Sequence, residues 1–252
     1  MGGCLRAIQL TKRFGRRQVV NGIDVLIEPG EIVALLGRNG AGKSTTFQMI
    51  AGQTSPDSGD IELNERSILQ LPAYARARLG LTYLPQERSV FLKLSVADNI
   101  GVPLEQRGLP RRDRLRRTEE LLAEFGLTYA ARLGAYALSG GEARKLEVAR
   151  ALATDPQFIL LDEPFAGMDP IHVRDVQDVI LRLRAQGLGV LISDHNVYYA
   201  FEIIDRGYVI DDGRVIVKGP STLLATSALA RSAFLGDDFR VPPLIGVNRT
   251  GY

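Results

Sequence analysis

The string Gly37-Arg38-Asn39-Gly40-Ala41-Gly42-Lys43-Ser44, followed by Thr45, constrains this chain more than any other. It has the spacing G-x-x-x-x-G-K-[ST] and follows an apolar run of strand length, EIVALLG from Glu31 to Gly37. Glycines at those positions let successive backbone N–H groups turn inward around phosphate oxygens. A helix opening behind them adds the positive end of its dipole. Lys43 is then placed for the β- and γ-phosphates and the Ser44 hydroxyl for Mg²⁺. The bland reading is a glycine-rich turn without special meaning. At an average Gly usage of ~7%, a chance match in a chain of this length is on the order of one per cent. A nucleotide-binding strand–loop–helix unit is therefore expected.

Three further short apolar runs carry the same character: GLTYLPQ (Gly80 to Gln86), QFILLDEP (Gln157 to Pro164) and GVLISDH (Gly189 to His195). Runs apolar on both faces and separated by helical patterns read as buried parallel strands. Between the last two, Ile171, Val176, Val179, Ile180 and Leu183 share one helical face, the pattern of a crossover helix. GYVIDDGRVIVKG reads as a hairpin turning at Asp212-Gly213, and a second hairpin is expected around Glu28-Pro29-Gly30. From about Arg88 to Pro156 the composition turns helical, which reads as an insert in the α/β core. The insert carries Arg107, Arg111, Arg112, Arg114, Arg116 and Arg117. They read either as a solvated helix face or as a site for lipid headgroups. Residues 1–240 are taken as one domain and 241–252 as a tail expected to be disordered.

The second chemical element is Asp162-Glu163, closing the apolar run Phe158 to Leu161. A carboxylate at the end of such a strand is how P-loop enzymes place a second Mg²⁺ contact beside the phosphates. The next carboxylate, Glu163, stands where a general base polarises an attacking water. The third element is Leu138-Ser139-Gly140-Gly141-Glu142, ahead of the helical stretch ARKLEVARALA. Its N–H groups offer a second anion site. Ser139-x-x-Glu142 is equally a capping box, so a plain capped helix remains the competing reading.

These three elements in this order resemble the ABC transporter ATPases over nearly the whole chain. That resemblance implies a P-loop (RecA-like) α/β core with an antiparallel β part and a helical insert. It also implies roles residue by residue. Phe14 matches the aromatic that stacks on adenine, although a Phe near a chain start is as readily core. Gln86, in YLPQE, matches the glutamine that senses Mg²⁺ and the membrane partner. Ser139, Gly140, Gly141 and Glu142 form the family signature. Asp169, in GMDP, matches the aspartate linking two subunits' sites, and it is also a natural N-cap. His195, in ISDH, matches the histidine on the γ-phosphate, whereas His172 reads as merely exposed. The implied cofactors are ATP and Mg²⁺, with Ser44, Gln86 and Asp162 around the metal.

The single P-loop and single LSGGE imply a head-to-tail homodimer. The resemblance adds integral membrane subunits as partners and a peripheral place on the cytoplasmic face of the inner membrane. Within the family, YLPQERSVFLKLSV, LLDEPFAGMDPI, ISDHNV and FLGDDFR look like the ATPases that drive lipopolysaccharide export. A branched-chain amino acid importer, or another ABC transporter, is the alternative. Coupling is expected after Gln86, where Phe91 reads either as an anchor for the membrane subunit or as insert core.

Bulk properties agree with this direction. A formal net charge of +2 argues against a dedicated nucleic-acid binder. The single cysteine, Cys4, cannot form an internal disulfide, which favours a reducing compartment. The N-terminus shows no secretory pattern. The apolar runs fall far short of the ~20 residues a membrane span needs.

Overall fold

The computed structural model describes residues 3–236, 239, 240 and 242, with the side chain of Ile171 left out. The tail expectation for 241–252 lies outside the described residues, Pro242 apart. In chain order the elements are β1 Leu5–Phe14, β2 Arg17–Ile27, β3 Ile32–Leu36, α1 Lys43–Ala51, β4 Ser58–Leu63, β5 Arg66–Ser67, α2 Ala73–Arg78 and β6 Leu81–Leu84. Then follow α3 Val96–Gln106, α4 Arg111–Glu124, α5 Gly140–Leu152, β7 Phe158–Asp162, α6 Pro170–Ala185 and β8 Gly189–Asp194. The last are α7 Val197–Phe201, β9 Arg206–Asp211, β10 Arg214–Pro220, α8 Ser221–Thr226 and α9 Ala228–Ala230.

Two sheets organise the core. One has the order β2-β1-β4-β5 and is antiparallel; the other has the order β10-β9-β3-β8-β7-β6. In the second sheet every pairing is parallel except β9 with β10. Its central strands are covered on both faces, which is why their sequences read as unbroken apolar runs. Val33 and Leu35, with Leu160, Leu191 and Ile210, pack against Phe47, Met49 and Ile50 of α1 and against the antiparallel sheet. Ala34 and Leu36, with Ile159, Leu161, Val190 and Ile192, face the other way, toward the core that includes α3, α4, α5 and α6. The period of two along each strand sends alternate side chains to these two cores.

Each predicted apolar run is a strand, and Val176, Val179, Ile180 and Leu183 are buried on α6 as their spacing requires. The hairpin at Asp212-Gly213 also forms, joining β9 to β10, with Gly213 at φ +74°. The hairpin expected at Glu28-Pro29-Gly30 does not. That turn carries the chain from the antiparallel sheet into the parallel one, so β2 and β3 never pair. The early hairpin lies instead at Gly15-Arg16, where Phe14 pairs with Arg17 and Gly15 takes φ +57°. Pro-Gly signals a reversal of direction and is silent about which sheet the next strand joins. The arginines of α4 meet nearby acids. Arg116 and Arg117 pair with Glu120, and Arg114 with Glu105, giving a solvated ion-paired face.

Candidate functional site

The parallel strands place the chemistry. Loops leaving the C-terminal ends of β3, β6, β7 and β8 emerge on one edge of the sheet, the edge where ligands of open α/β sheets collect. Those loops carry the P-loop, Gln86, Glu163 and His195 respectively. Parallel registry sets Leu36 beside Asp194 and Asp162 beside Ser193, so the strand ends are level.

The P-loop backbone is forced by its glycines. Gly42 caps α1 in the left-handed region at φ +105°, and a Cβ there would stand 2.6 Å from the Val19 carbonyl oxygen. A Cβ on Gly37 would collide with the Ile210 carbonyl. Lys43 is buried, and its Nζ donates to the carbonyls of Gly37 at 2.8 Å and Arg38 at 3.2 Å. Burial pushes its ammonium below the usual lysine value, against the pull of Glu163, Asp162 and Asp194. A desolvated cation held by two carbonyls of its own loop is preset to meet a phosphate.

Around Asp162 the hydroxyls gather. Ser44 Oγ donates to Asp162 Oδ1 at 3.3 Å, Ser193 Oγ contacts the same oxygen, and the Tyr83 hydroxyl donates to Oδ2 at 3.2 Å. Burial, together with the Asp162 charge, pushes the Tyr83 phenol up, so it stays a donor. No group of three or more His, Cys, Asp or Glu that could hold a metal occurs among the described residues. Ser44 and Asp162 nevertheless present hard oxygens 3.3 Å apart. That suits a cation taking one or two protein oxygens and completing its shell with phosphate and water.

Glu163 occupies a strained backbone, φ +46° in a non-glycine residue, of the kind that gathers at functional sites. Its N–H donates to the Ser193 carbonyl at 2.9 Å. Gln86 Nε2 donates to Glu163 Oε2 at 2.9 Å, and His195 Nδ1 sits 3.2 Å from that same oxygen. Oε1 has no partner among the described residues. One carboxylate oxygen is thus fixed and the other is open.

A cavity of about 480 Å³ collects the P-loop residues Asn39 to Thr45, Ala41 excepted, with Gln86, Glu163 and His195 on its walls. The signature residues are absent from it. Ser139, Gly140 and Gly141 line a second hollow of about 440 Å³ with Asp169 and His172, which meets the first across Gln86 and Glu163. Ser139 caps α5 in a full capping box with Glu142, and the Tyr129 hydroxyl donates to Glu142. The capping reading holds, and the capping box leaves the N–H groups of Gly140 and Gly141 outside it. Asp169 stands at the N-cap of α6 but makes no side-chain cap, and its carboxylate is exposed, 3.9 Å from His172 Nδ1. Phe14 is half exposed with Lys12 Nζ 5.7 Å from its ring centroid, so it is not core.

Sequence reasoning passed over Ser193 and Tyr83, which hold Asp162. It also missed Asp194, a buried carboxylate that accepts the N–H groups of Phe165 and Asn196 and is raised by burial. Their roles come from strand pairing between distant segments, which leaves no local signal. His172, read as merely exposed, lies against Gly141.

A family model described as ABC transporter matches residues 20–166. The chain belongs to the ABC transporter family. It is an ATP-binding cassette and an ATPase of that class. It is 48% identical over 241 residues to the lipopolysaccharide export system ATP-binding protein LptB of Acidithiobacillus ferridurans, covering 96% of this chain and 100% of that one. It is 49% identical over 239 residues to an ABC transporter ATP-binding protein of Rhizobium meliloti, covering 94% and 88%. Among solved structures it resembles cbiO1 of Clostridium perfringens, part of an ABC transporter complex, at a TM-score of 0.82 and 26% identity over 92% and 94% of the two chains. No helix of the described residues is long and apolar enough to cross a membrane.

Proposed function

We propose that two copies of this cassette close head to tail over ATP and hydrolyse it to drive lipopolysaccharide out of the inner membrane. The observation that carries the catalytic part is Glu163, with Oε2 fixed by Gln86 and His195 and Oε1 open beside the P-loop lysine. Lys43 and the N–H groups from Gly37 to Thr45 hold the phosphates. Ser44, Asp162 and Gln86 would hold Mg²⁺, which supplies charge neutralisation on the phosphate oxygens. Oε1 of Glu163 takes a proton from the attacking water, and His195 donates toward the γ-phosphate. Phe14, exposed at the end of β1, stacks on the adenine.

Residues 1–240 form the ATPase domain, with the helices between about 88 and 156 as its insert. Ser139, Gly140, Gly141 and Glu142 of one copy complete the site of the other, and Asp169 links the two. Two features support this reading. The signature hollow is separate from the P-loop cavity within one chain, and it opens beside it. In this reading the membrane subunits dock on a groove of about 260 Å³ beside Phe91, Pro103 and Arg150, and the cassette works on the cytoplasmic face of the inner membrane. The substrate assignment rests on the 48% identity to a protein of lipopolysaccharide export.

Glu163→Gln tests the chemistry. ATP binding is retained while turnover falls at least ~10²-fold, the range for losing a general base; near-parental turnover would remove Glu163 from that role. For the substrate, vesicles holding the co-purified membrane subunits should release lipopolysaccharide only with ATP. Release of no lipopolysaccharide, with amino acid uptake instead, overturns the assignment.

A further inference from the structure

The signature hollow carries more positive charge than its own chain uses. Its floor is the N-terminus of α5, a helix of 13 residues. Arg144, in the second turn, lines the hollow and is 6% exposed. Its Nη1 donates to Glu147 Oε2 at 2.8 Å and to the Pro85 carbonyl at 3.3 Å. Its Nη2 is buried and has no acceptor. A buried guanidinium N–H without an acceptor costs more than a neutral donor in the same state, and such groups ask for an explanation.

Arg88 lies over the same hollow. Its Nη2 is 3.2 Å from where a Cβ on Gly140 would stand, and it forms no ion pair or hydrogen bond with a described residue. Its backbone is nonetheless held. The next residue, Ser89, donates its N–H to Glu147, and Arg150 donates to the Ser89 carbonyl and hydroxyl. Val90 is buried. The Arg88 side chain is therefore free to reach, from a base fastened to the signature helix.

The acids of the hollow do not answer this charge. Glu147 is engaged by Arg144 and Ser89, and Glu163 by Gln86 and His195. Asp169 is out on the rim, 3.9 Å from His172. A helix N-terminus and one unpaired arginine face a hollow in which no carboxylate of the described residues pairs with that arginine, and a buried guanidinium N–H of Arg144 without an acceptor lies in its wall. The P-loop of the same chain cannot supply an anion there, since neither Arg88 nor Arg144 lines its cavity.

We propose that Arg88 contacts phosphate in trans, reaching past Gly140 to the terminal phosphate of a nucleotide held by the P-loop of a second copy. Arg144 supplies the buried donor beneath it. This rests on the head-to-tail reading above. A guanidinium fork matches two phosphate oxygens at once and neutralises charge that grows during transfer.

The test uses mixed dimers of full-length chains, one copy carrying Lys43→Ala and the other Ser139→Arg. Only one site per mixed dimer is then whole, built from the P-loop of the second chain and the signature of the first. Recovery of ATPase in this mixture is read first. Its absence, with mixed dimers shown to form, sinks the head-to-tail reading and the proposal with it. Given recovery, Arg88→Ala is added to one chain at a time. On the Lys43→Ala chain, which donates the signature, it should lower the recovered rate ~10–100-fold, with Arg88→Lys restoring part of it as a point charge. On the Ser139→Arg chain it should change the rate less than about twofold, because that copy faces the broken site. Thermal unfolding should be the same for every Arg88 variant, since the side chain has no partner to lose. Equal losses from either chain, no loss from either, or a loss confined to the Ser139→Arg chain would each overturn the proposal.

Discussion

Replacing Arg76 by Met should unfold this protein at a distinctly lower temperature, although Arg76 lies outside both cavities. The side chain is 2% exposed and makes no ion pair among the described residues. It is solvated by carbonyls instead: Nε donates to Leu71 at 2.9 Å, Nη1 to Met49 at 2.8 Å and Ile50 at 2.7 Å, and Nη2 to Leu69 at 2.8 Å. Met49 and Ile50 sit in the last turn of α1, where carbonyls run out of helical partners and only that of Met49 is met by the Gly52 N–H as well. A cation there also meets the negative end of the dipole. Arg76 thus ties α2 to the back of the P-loop helix. Methionine fills similar volume and removes four donated hydrogen bonds; the Met49 carbonyl keeps the Gly52 N–H, while those of Ile50, Leu69 and Leu71 lose the Arg76 donor. Each loss costs ~1–3 kcal/mol, against several kcal/mol regained because no charge is buried. The net is about 3–5 kcal/mol, comparable to breaking a buried pair. For a domain of this size that lowers Tm by about 6–20 °C. Burial pushes the guanidinium down to about 10. Folding thus penalises the charge below that pH and relieves the penalty only as pH rises past it. The loss should accordingly be flat between pH 6 and 8. Circular dichroism melts of the two proteins decide the matter, and Arg76→Met melting within 2 °C of the parent would refute the reasoning.

Two further predictions rest on contacts of the same kind. Phe91 is 47% exposed, with the Arg150 guanidinium 5.0 Å from its ring centroid, so Phe91→Ala should cost about 1 kcal/mol rather than the ~3–5 kcal/mol of a buried Phe. Assembly with the membrane subunits should weaken, which co-purification reads; intact assembly with a large fall in Tm would make Phe91 core. Ser193→Ala removes a hydroxyl that contacts Asp162 and accepts the N–H of Glu163. It should raise the Mg²⁺ concentration needed for ATP to stabilise the fold by ~10-fold or more, as loss of a supporting hydrogen bond does elsewhere. An unchanged Mg²⁺ requirement in thermal shift would exclude that support.

Local chemistry was legible in the sequence, and long-range pairing was not. The P-loop needs its glycines at fixed offsets because Gly37 and Gly42 take backbones that a Cβ would block. That requirement is written in eight consecutive residues. The buried strands were legible because both faces of the parallel sheet are covered. Glu28-Pro29-Gly30 misled because a turn signal does not name the sheet its next strand joins. Tyr83, Ser193, Arg76 and Arg88 gave no signal at all. Tyr83 and Ser193 meet Asp162, Arg76 meets the end of α1, and Arg88 lies over the start of the signature helix; strand order and crossover bring them there, and nothing near them in sequence marks it. Phe14 and Phe91 were ambiguous between core and surface for a similar reason. Exposure is a property of the packed chain, and the structure puts both at the surface.

The central claim, that one nucleotide is shared between two chains, is tested most directly by the mass of Glu163→Gln in solution. With hydrolysis blocked, each bound ATP should hold a P-loop of one copy against the signature of the other. Light scattering should then report twice the 27.6 kDa of a single chain in the presence of ATP and Mg²⁺, and the single-chain mass without nucleotide. Adding Ser139→Arg to the same chain should return the monomer with ATP still bound. Glu163→Gln that binds ATP and remains at the mass of one chain would contradict the account.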